Sequence, residues 1–197
     1  SERQQEAIEK IVEFGRQLVS QGHLELLSLI ESVTLDRLEE SLMAPMMQLQ
    51  GDILLMLGRF EQASSIFETA SKAAKKANLP VVYSEILGSQ ADIAMKQGQT
   101  DKALSSHKEA LEVQVELGDA KGAARTYNNM GYLYRRKNDR AKALEAYSEV
   151  EAIISSDESL LSAQIILGRA LLDLGEVDRA RKHAFEAFER TDKADDL

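Results

Sequence analysis

The sequence predicts an all-α fold, a solenoid of stacked antiparallel helical hairpins. Small residues recur in register at two phases of the chain: Gly51, Ala91, Gly131 and Gly168 in one, and Ala63, Ala103, Ala143 and Ala180 in the other, at intervals of forty, forty and thirty-seven residues. Helix-length amphipathic segments are separated by short breaks, among them Leu57-Gly58-Arg59, Gln97-Gly98-Gln99 and Lys137-Asn138-Asp139. Two prolines and 5% aromatic residues weigh against a β-sandwich. A fixed period of this length means repeated units that bury their apolar faces on one another. The small residues have a steric reason, because they let two helices approach to the short end of the usual spacing of about 8–10 Å.

Between Gln5 and Val19, the residues Ile8, Ile11, Val12, Phe14, Leu18 and Val19 recur at helical spacing, and Gly22 can take the left-handed conformation that ends a helix. A second segment starts near Leu24, so residues 1–43 read as a degenerate helical hairpin or cap. The stretch TLDRLEESLMAP either prolongs that helix or forms a short one. Pro45 is expected in the first turn of the next helix, where its missing N–H costs nothing. Four repeats then span about 44–79, 80–118, 119–156 and 157–190. Thr100 is expected to cap the second helix of its repeat, since its hydroxyl can accept a free N–H. Gly118-Asp119 and Ser156-Asp157 each join a stop to a cap. Residues 191–197, TDKADDL, are expected to be a frayed acidic tail. Short turns make successive helices antiparallel neighbours, and the first helices of the hairpins are expected to build a concave side.

Tyr127, Met130, Gly131 and Tyr134, followed by Ala143 and Tyr147, resemble the tetratricopeptide repeat (TPR), whose pattern is W-x2-L-G-x2-Y, then A-x3-F, then P. Tyr127 stands where tryptophan is usual, and Ser155 replaces the closing proline. Met47, Gly51, Leu54, Ala63 and Phe67 match in the first repeat, and Leu87, Ala91, Ala94, Ala103 and His107 in the second. Gly168, Leu171, Ala180 and Ala184 match in the last. The resemblance covers roughly residues 44–190 and is to the forty-residue variety found in cell-polarity adaptors and several regulatory proteins. It implies right-handed superhelical winding and a non-catalytic scaffold that binds an extended or helical segment of a partner protein in a concave groove.

Composition narrows the function classes. A net charge of −9 opposes a general nucleic-acid binder, which needs a basic footprint. No apolar run is long enough for membrane insertion, and the start, SERQQEAIEK, lacks the basic and apolar regions of a signal peptide. Zero cysteines remove disulfides and cysteine-ligated metal, which fits a reducing, cytoplasmic setting. His23, His107 and His183 each stand alone, without an H-E-x-x-H arrangement, and His107 takes the aromatic position of its repeat. Each glycine of the breaks ends a helix, so no phosphate-cradling loop follows a strand. An enzyme, a metal and a cofactor are therefore not expected.

The candidate binding residues lie on the first helix of the third repeat, where the TPR resemblance puts Arg125, Asn128, Asn129, Tyr132, Arg135 and Arg136 at groove-facing positions. Arginine forks suit carboxylates, and an asparagine amide can hold a peptide N–H and C=O together. In the polarity-adaptor relatives an arginine and an asparagine four apart clamp an extended peptide, and Arg125 and Asn129 match that pair. The second repeat has Glu85 and Ser89 there and the first has Pro45 and Leu49, so the two-carboxylate clamp of chaperone-binding TPR proteins is not reproduced. The plain alternative is a solvated helix face. One equivalent position holds Asp52, Asp92, Tyr132 and Arg169 along the four repeats, an acid-to-base order that would orient a ligand bearing both charges. Met43, Met46, Met47 and Met56, with Leu49 and Leu55, read as core; exposed, Leu49, Leu55 and Met56 would form an apolar anchor for a partner or for a homo-oligomer. Homotypic self-assembly through that patch or the repeat ends is the alternative function.

Overall fold

The computed structural model describes residues 10–15, 17–19, 21–23, 25–32, 39–156 and 161–195. All its regular structure is helical. Residues 10–15 and 17–19 are helical, and after them come α1 (Leu26–Ser32), α2 (Glu40–Met56), α3 (Phe60–Lys76) and α4 (Pro80–Lys96). Next are α5 (Thr100–Leu117), α6 (Ala120–Arg136), α7 (Arg140–Ser156), α8 (Leu161–Asp173) and α9 (Val177–Asp195). The chain divides into two compact units, residues 1–106 and 107–197, with the boundary inside α5. The stretch 33–38, the start expected near Leu24, the cap expected at Asp157 and the last two residues lie outside the described residues.

Each unit is a stack of antiparallel helical hairpins, as the period requires. In the first, α2 packs on α3, and both pack on α4; in the second, α6 packs on α7, α8 on α9, and α8 also lies against α6 and α7. The small-residue register has the steric cause expected of it. A Cβ added to Gly51 would stand 2.5 Å from Cε1 of Phe67, and one added to Gly131 would stand 2.7 Å from Cζ of Tyr147. The aromatic ring of each second helix thus lies on the bare backbone of the first, and both rings are fully buried. Around Tyr147 the second unit's core gathers Ala124, Ala143, Val150, Ile154, Leu167 and Leu171.

The breaks share one geometry. At the end of α2, Gly58 takes φ +71°, its N–H donates to the Leu55 carbonyl (3.1 Å), and the Arg59 N–H reaches back to Leu54 (2.9 Å). This doubly bonded left-handed stop satisfies carbonyls that the helix leaves open. It recurs at Gly22, Gly98, Gly118 and Gly175, and with asparagine at Asn78 and Asn138.

Three expectations are corrected. Helix α2 starts at Glu40, so Pro45 sits inside it rather than in its first turn. The turn before the proline is held by Leu42 and Met43, whose N–H groups both donate to the Glu39 carbonyl. Thr100 is the first helical residue of α5 instead of its cap; the Gln99 carbonyl receives the first helical bond, from the Ala103 N–H (3.0 Å). The backbone of α9 continues as helix to Asp195, beyond the expected end of the last repeat.

Candidate functional site: the outer face of α6 and its neighbours

Helix α6 is fixed at both ends. The Gly122 N–H donates to Oδ1 of Asp119 (2.9 Å) at its start, as the stop-and-cap reading expects, and Asn138 turns the chain at its end. Its rotation is set by Ala123, Ala124, Met130 and Gly131, which are buried. On the opposite side a stripe of one residue per turn carries Arg125, Asn129, Tyr132 and Arg136. Arg125, Tyr132 and Arg136 are exposed and Asn129 is half-buried. Arg125 and Asn129 stand one helical turn apart, the spacing at which side chains share a face.

The second stripe, Asn128 and Arg135, is half-buried and has a different task. The Arg135 guanidinium pairs with Asp173 of α8 and lies 5.5 Å from the Tyr132 ring centre. Its charge is therefore engaged in holding α8 against α6 as well as in facing solvent. Oδ1 of Asn128 is buried without a hydrogen-bond partner. In the first unit residues of both stripes join neighbouring helices. Gln48 Nε2 donates to Glu85 (3.1 Å), and Ser89 Oγ donates to Asp52 (3.0 Å), so Asp52 helps tie α2 to α4. Asp92 is half-buried.

Arg169 is exposed on α8, and around it lie residues that sequence reasoning did not single out: Ile165, Ile166 and Leu172, each half or more exposed. The available signal was that LSAQIILGRALLD is apolar on nearly every side, more than one buried face requires. The proposed apolar anchor is corrected. Leu49 is 2% exposed and lies in the core beside Gly15, because its side of α2 faces the N-terminal helical residues. Leu55 is half-buried, and only Met56 of the three is exposed.

His107 is buried, as expected of the aromatic position, and its Nδ1 has no hydrogen-bond partner. Burial, aided by the nearby Arg125 charge, pushes its pKa down to about 4, so the ring is neutral at pH 7. Between α7 and α9 lies a polar cluster that sequence reasoning also missed. Arg179 grips Glu151 with Nε (3.1 Å) and a terminal nitrogen (2.7 Å), and His183 Nε2 meets the same carboxylate at 2.9 Å. Burial opposes ionisation of Glu151, but the hydrogen bonds from Arg179 and His183 outweigh it and hold the carboxyl below its ordinary range. Its carboxylate and guanidinium are committed to each other, which suits a clasp between hairpins better than acid–base chemistry. Among the described residues no group of three His, Cys, Asp or Glu side chains could hold a metal ion, and no helix is long and apolar enough to cross a membrane.

Stacked hairpins with an outward polar stripe define a helical-repeat scaffold. Residues 83–156 and 161–184 match the tetratricopeptide repeat family, and over these stretches the chain is built of such repeats. No curated protein sequence matches the chain. Among solved structures it is similar to the nearly identical TPR-like repeats assigned to a Podosopora anserina kinesin light chain, with TM-score 0.73 and 16% identity over 95% of this chain and 96% of that one. BtubC (BKLC) from P. vanneervenii is similar with TM-score 0.61 and 21% identity over 94% of this chain and 71% of that one. The Rap conjugation gene regulator of plasmid pLS20, in complex with the Phr* peptide, has TM-score 0.69 and 17% identity over 92% of this chain and 52% of that one. At these identities the likeness is one of fold.

Proposed function

We propose that this chain is a non-catalytic interaction scaffold whose second unit binds an extended, acidic segment of a partner protein along α6. The observation that carries this reading is the stripe Arg125, Asn129, Tyr132 and Arg136, which presents two exposed cations, an amide and an exposed ring on one helix face. The ion pair between Arg135 and Asp173 brings α8 alongside, so Ile166 and Arg169 extend the stripe. Asn129 would hold the ligand's main chain, the arginines its carboxylates, and Tyr132 with Ile166 an apolar side chain. Arg135 and Asn128 border this surface. The Rap regulator's peptide complex shows that a similar fold can serve peptide recognition. In the first unit Asp52 and Asp92 offer the opposite sign at the equivalent repeat position and suit basic residues of a ligand.

Screening an array of extended peptides, followed by fluorescence anisotropy on the best sequence, tests the proposal. The parent should select acidic peptides, and Arg125→Glu with Asn129→Ala should weaken binding by roughly tenfold or more, the scale of charge-assisted hydrogen bonds. Circular dichroism of the double variant must match the parent. Equal affinity of the two proteins would remove α6 as the binding face.

A further inference from the structure

We propose that a cleft within the second unit, between the end of α5, the first half of α6 and the second half of α7, seats a tyrosine of a partner protein flanked by lysine or arginine. The cleft measures about 280 Å3, and Val115, Ala120, Ala123, Tyr127 and Ile153 form its apolar walls. The two alanines on α6 leave the space that longer side chains would fill. Ala120, Ala123 and Tyr127 follow one another three and four positions apart and so share one side of the helix. Arg125 and Asn129 occupy the opposite side, which makes this surface separate from the stripe described above. Val115 is 63% exposed at the rim, an apolar side chain that the fold leaves uncovered.

Three features select the occupant. The volume is below the range of about 300–1,000 Å3 usual for pockets of drug-sized ligands, and suits one aromatic side chain inserted as an anchor. In the cleft's wall Gln114 is only 2% exposed. Its Oε1 accepts from the Thr126 hydroxyl (2.8 Å), while its Nε2 has no acceptor among the described residues. A donor held in this way calls for an acceptor at the tip of the inserted ring. Tyrosine's phenol oxygen supplies one, phenylalanine has none, and the indole N–H of tryptophan only donates. The rim is acidic. Glu149 lines it without an ion pair among the described residues, Asp119 lines it beside the end of α5, and Glu116 is exposed next to Val115. Cations are also favoured at the C-terminal end of a helix such as α5. The chain's own cations are placed elsewhere. Lys108 and Lys142 lie two turns, about 10 Å, before Val115 and Glu149, and Lys121 shares a face with Arg125. Lys142 pairs with Asp139, and on α9 Arg179 and Lys182 meet Glu151 and Glu186. Burial and then the Glu149 charge hold the Tyr127 phenol above its ordinary range, so the field of that carboxylate reaches the cleft wall.

Protein-observed NMR titration with blocked tripeptides tests this. Acetyl-Arg-Tyr-Arg-amide should shift the amides of Val115, Ala120, Ala123 and Ile153, and its affinity should be unchanged in Arg125→Glu with Asn129→Ala. Acetyl-Arg-Phe-Arg-amide should bind about threefold to tenfold more weakly, the scale of one lost hydrogen bond. Acetyl-Glu-Tyr-Glu-amide should leave these amides in place. Glu149 is exposed, so Glu149→Lys should keep the parent's helicity. It should weaken the Arg-Tyr-Arg peptide about tenfold, since it exchanges an attraction for a repulsion. The absence of shifts at the cleft, equal binding of the tyrosine and phenylalanine peptides, or full affinity in Glu149→Lys overturns the proposal. Tyramine binding as tightly as the peptide also overturns it, by making the occupant a small amine.

Discussion

His107 stands where the first and third repeats place Phe67 and Tyr147, and like them it is buried. An imidazole there is tolerated as long as it is uncharged. The unfolded chain takes up the proton near pH 6.5, whereas the folded protein resists until about pH 4. The unfolded state therefore binds more protons between those values, and stability present above pH 6.5 is lost as the pH falls towards 4. The full effect is at most about 3 kcal/mol, from 1.36 kcal/mol per unit. His107→Phe should remove that part of the acid loss. Urea denaturation of parent and variant at pH 7 and pH 5 should show a smaller drop for the variant; an identical drop would assign the acid sensitivity to other groups. The same buried ring shows how far the sequence could be read at this scale. Its place in the repeat was legible from His107 alone, whereas its neighbour Arg125, eighteen residues on, was read only as a groove residue.

At the scale of the helix, the repeat register was legible because it follows from a strict steric demand. Where Phe67 or Tyr147 lies on a neighbouring helix, only glycine fits, and that requirement is written into the sequence at Gly51 and Gly131. The contacts between hairpins were not legible, because residues facing the next hairpin obey the same helical period as those facing the core or water. Core and exposed anchor therefore both stayed open for Leu49, which is buried, and the pairing of Arg135 with Asp173 went unseen. The two kinds of helical glycine can be separated by experiment. Gly131→Ala forces Tyr147 to move and should destabilise by about 1–3 kcal/mol, the usual penalty of overpacking. Gly88, in α4, has nothing within 4 Å of an added Cβ. Gly88→Ala should stabilise by about 0.5–1 kcal/mol, because alanine loses less backbone entropy in a helix. Denaturant midpoints give both signs, and a destabilising Gly88→Ala would show that its apparent space is needed.

For the molecule as a whole, repeat stacking makes stability a sum of neighbour terms, so one hairpin can open without the rest. The last hairpin is tied to its predecessor by a set of polar bonds in addition to the apolar contacts of Leu167 and Leu171. Arg135 pairs with Asp173, Arg140 reaches Glu176 (2.7 Å) and the Leu174 carbonyl (2.9 Å), and Glu151 holds Arg179 and His183. The Glu151 contacts are the least exposed of these clasps, and removing the acid leaves a nearly buried imidazole and a guanidinium without their acceptor. Losing such a charged acceptor costs about 1–3 kcal/mol. In Glu151→Ala, amide hydrogen exchange along α8 and α9 should therefore accelerate about tenfold to a hundredfold, while amides of α2 and α3 keep their parent rates. Glu151→Gln, which keeps an acceptor oxygen but not the charge, should fall between the two. Equal acceleration throughout the chain would mean that the repeats open together, and that the clasp contributes to one global transition rather than to the hold on the final hairpin.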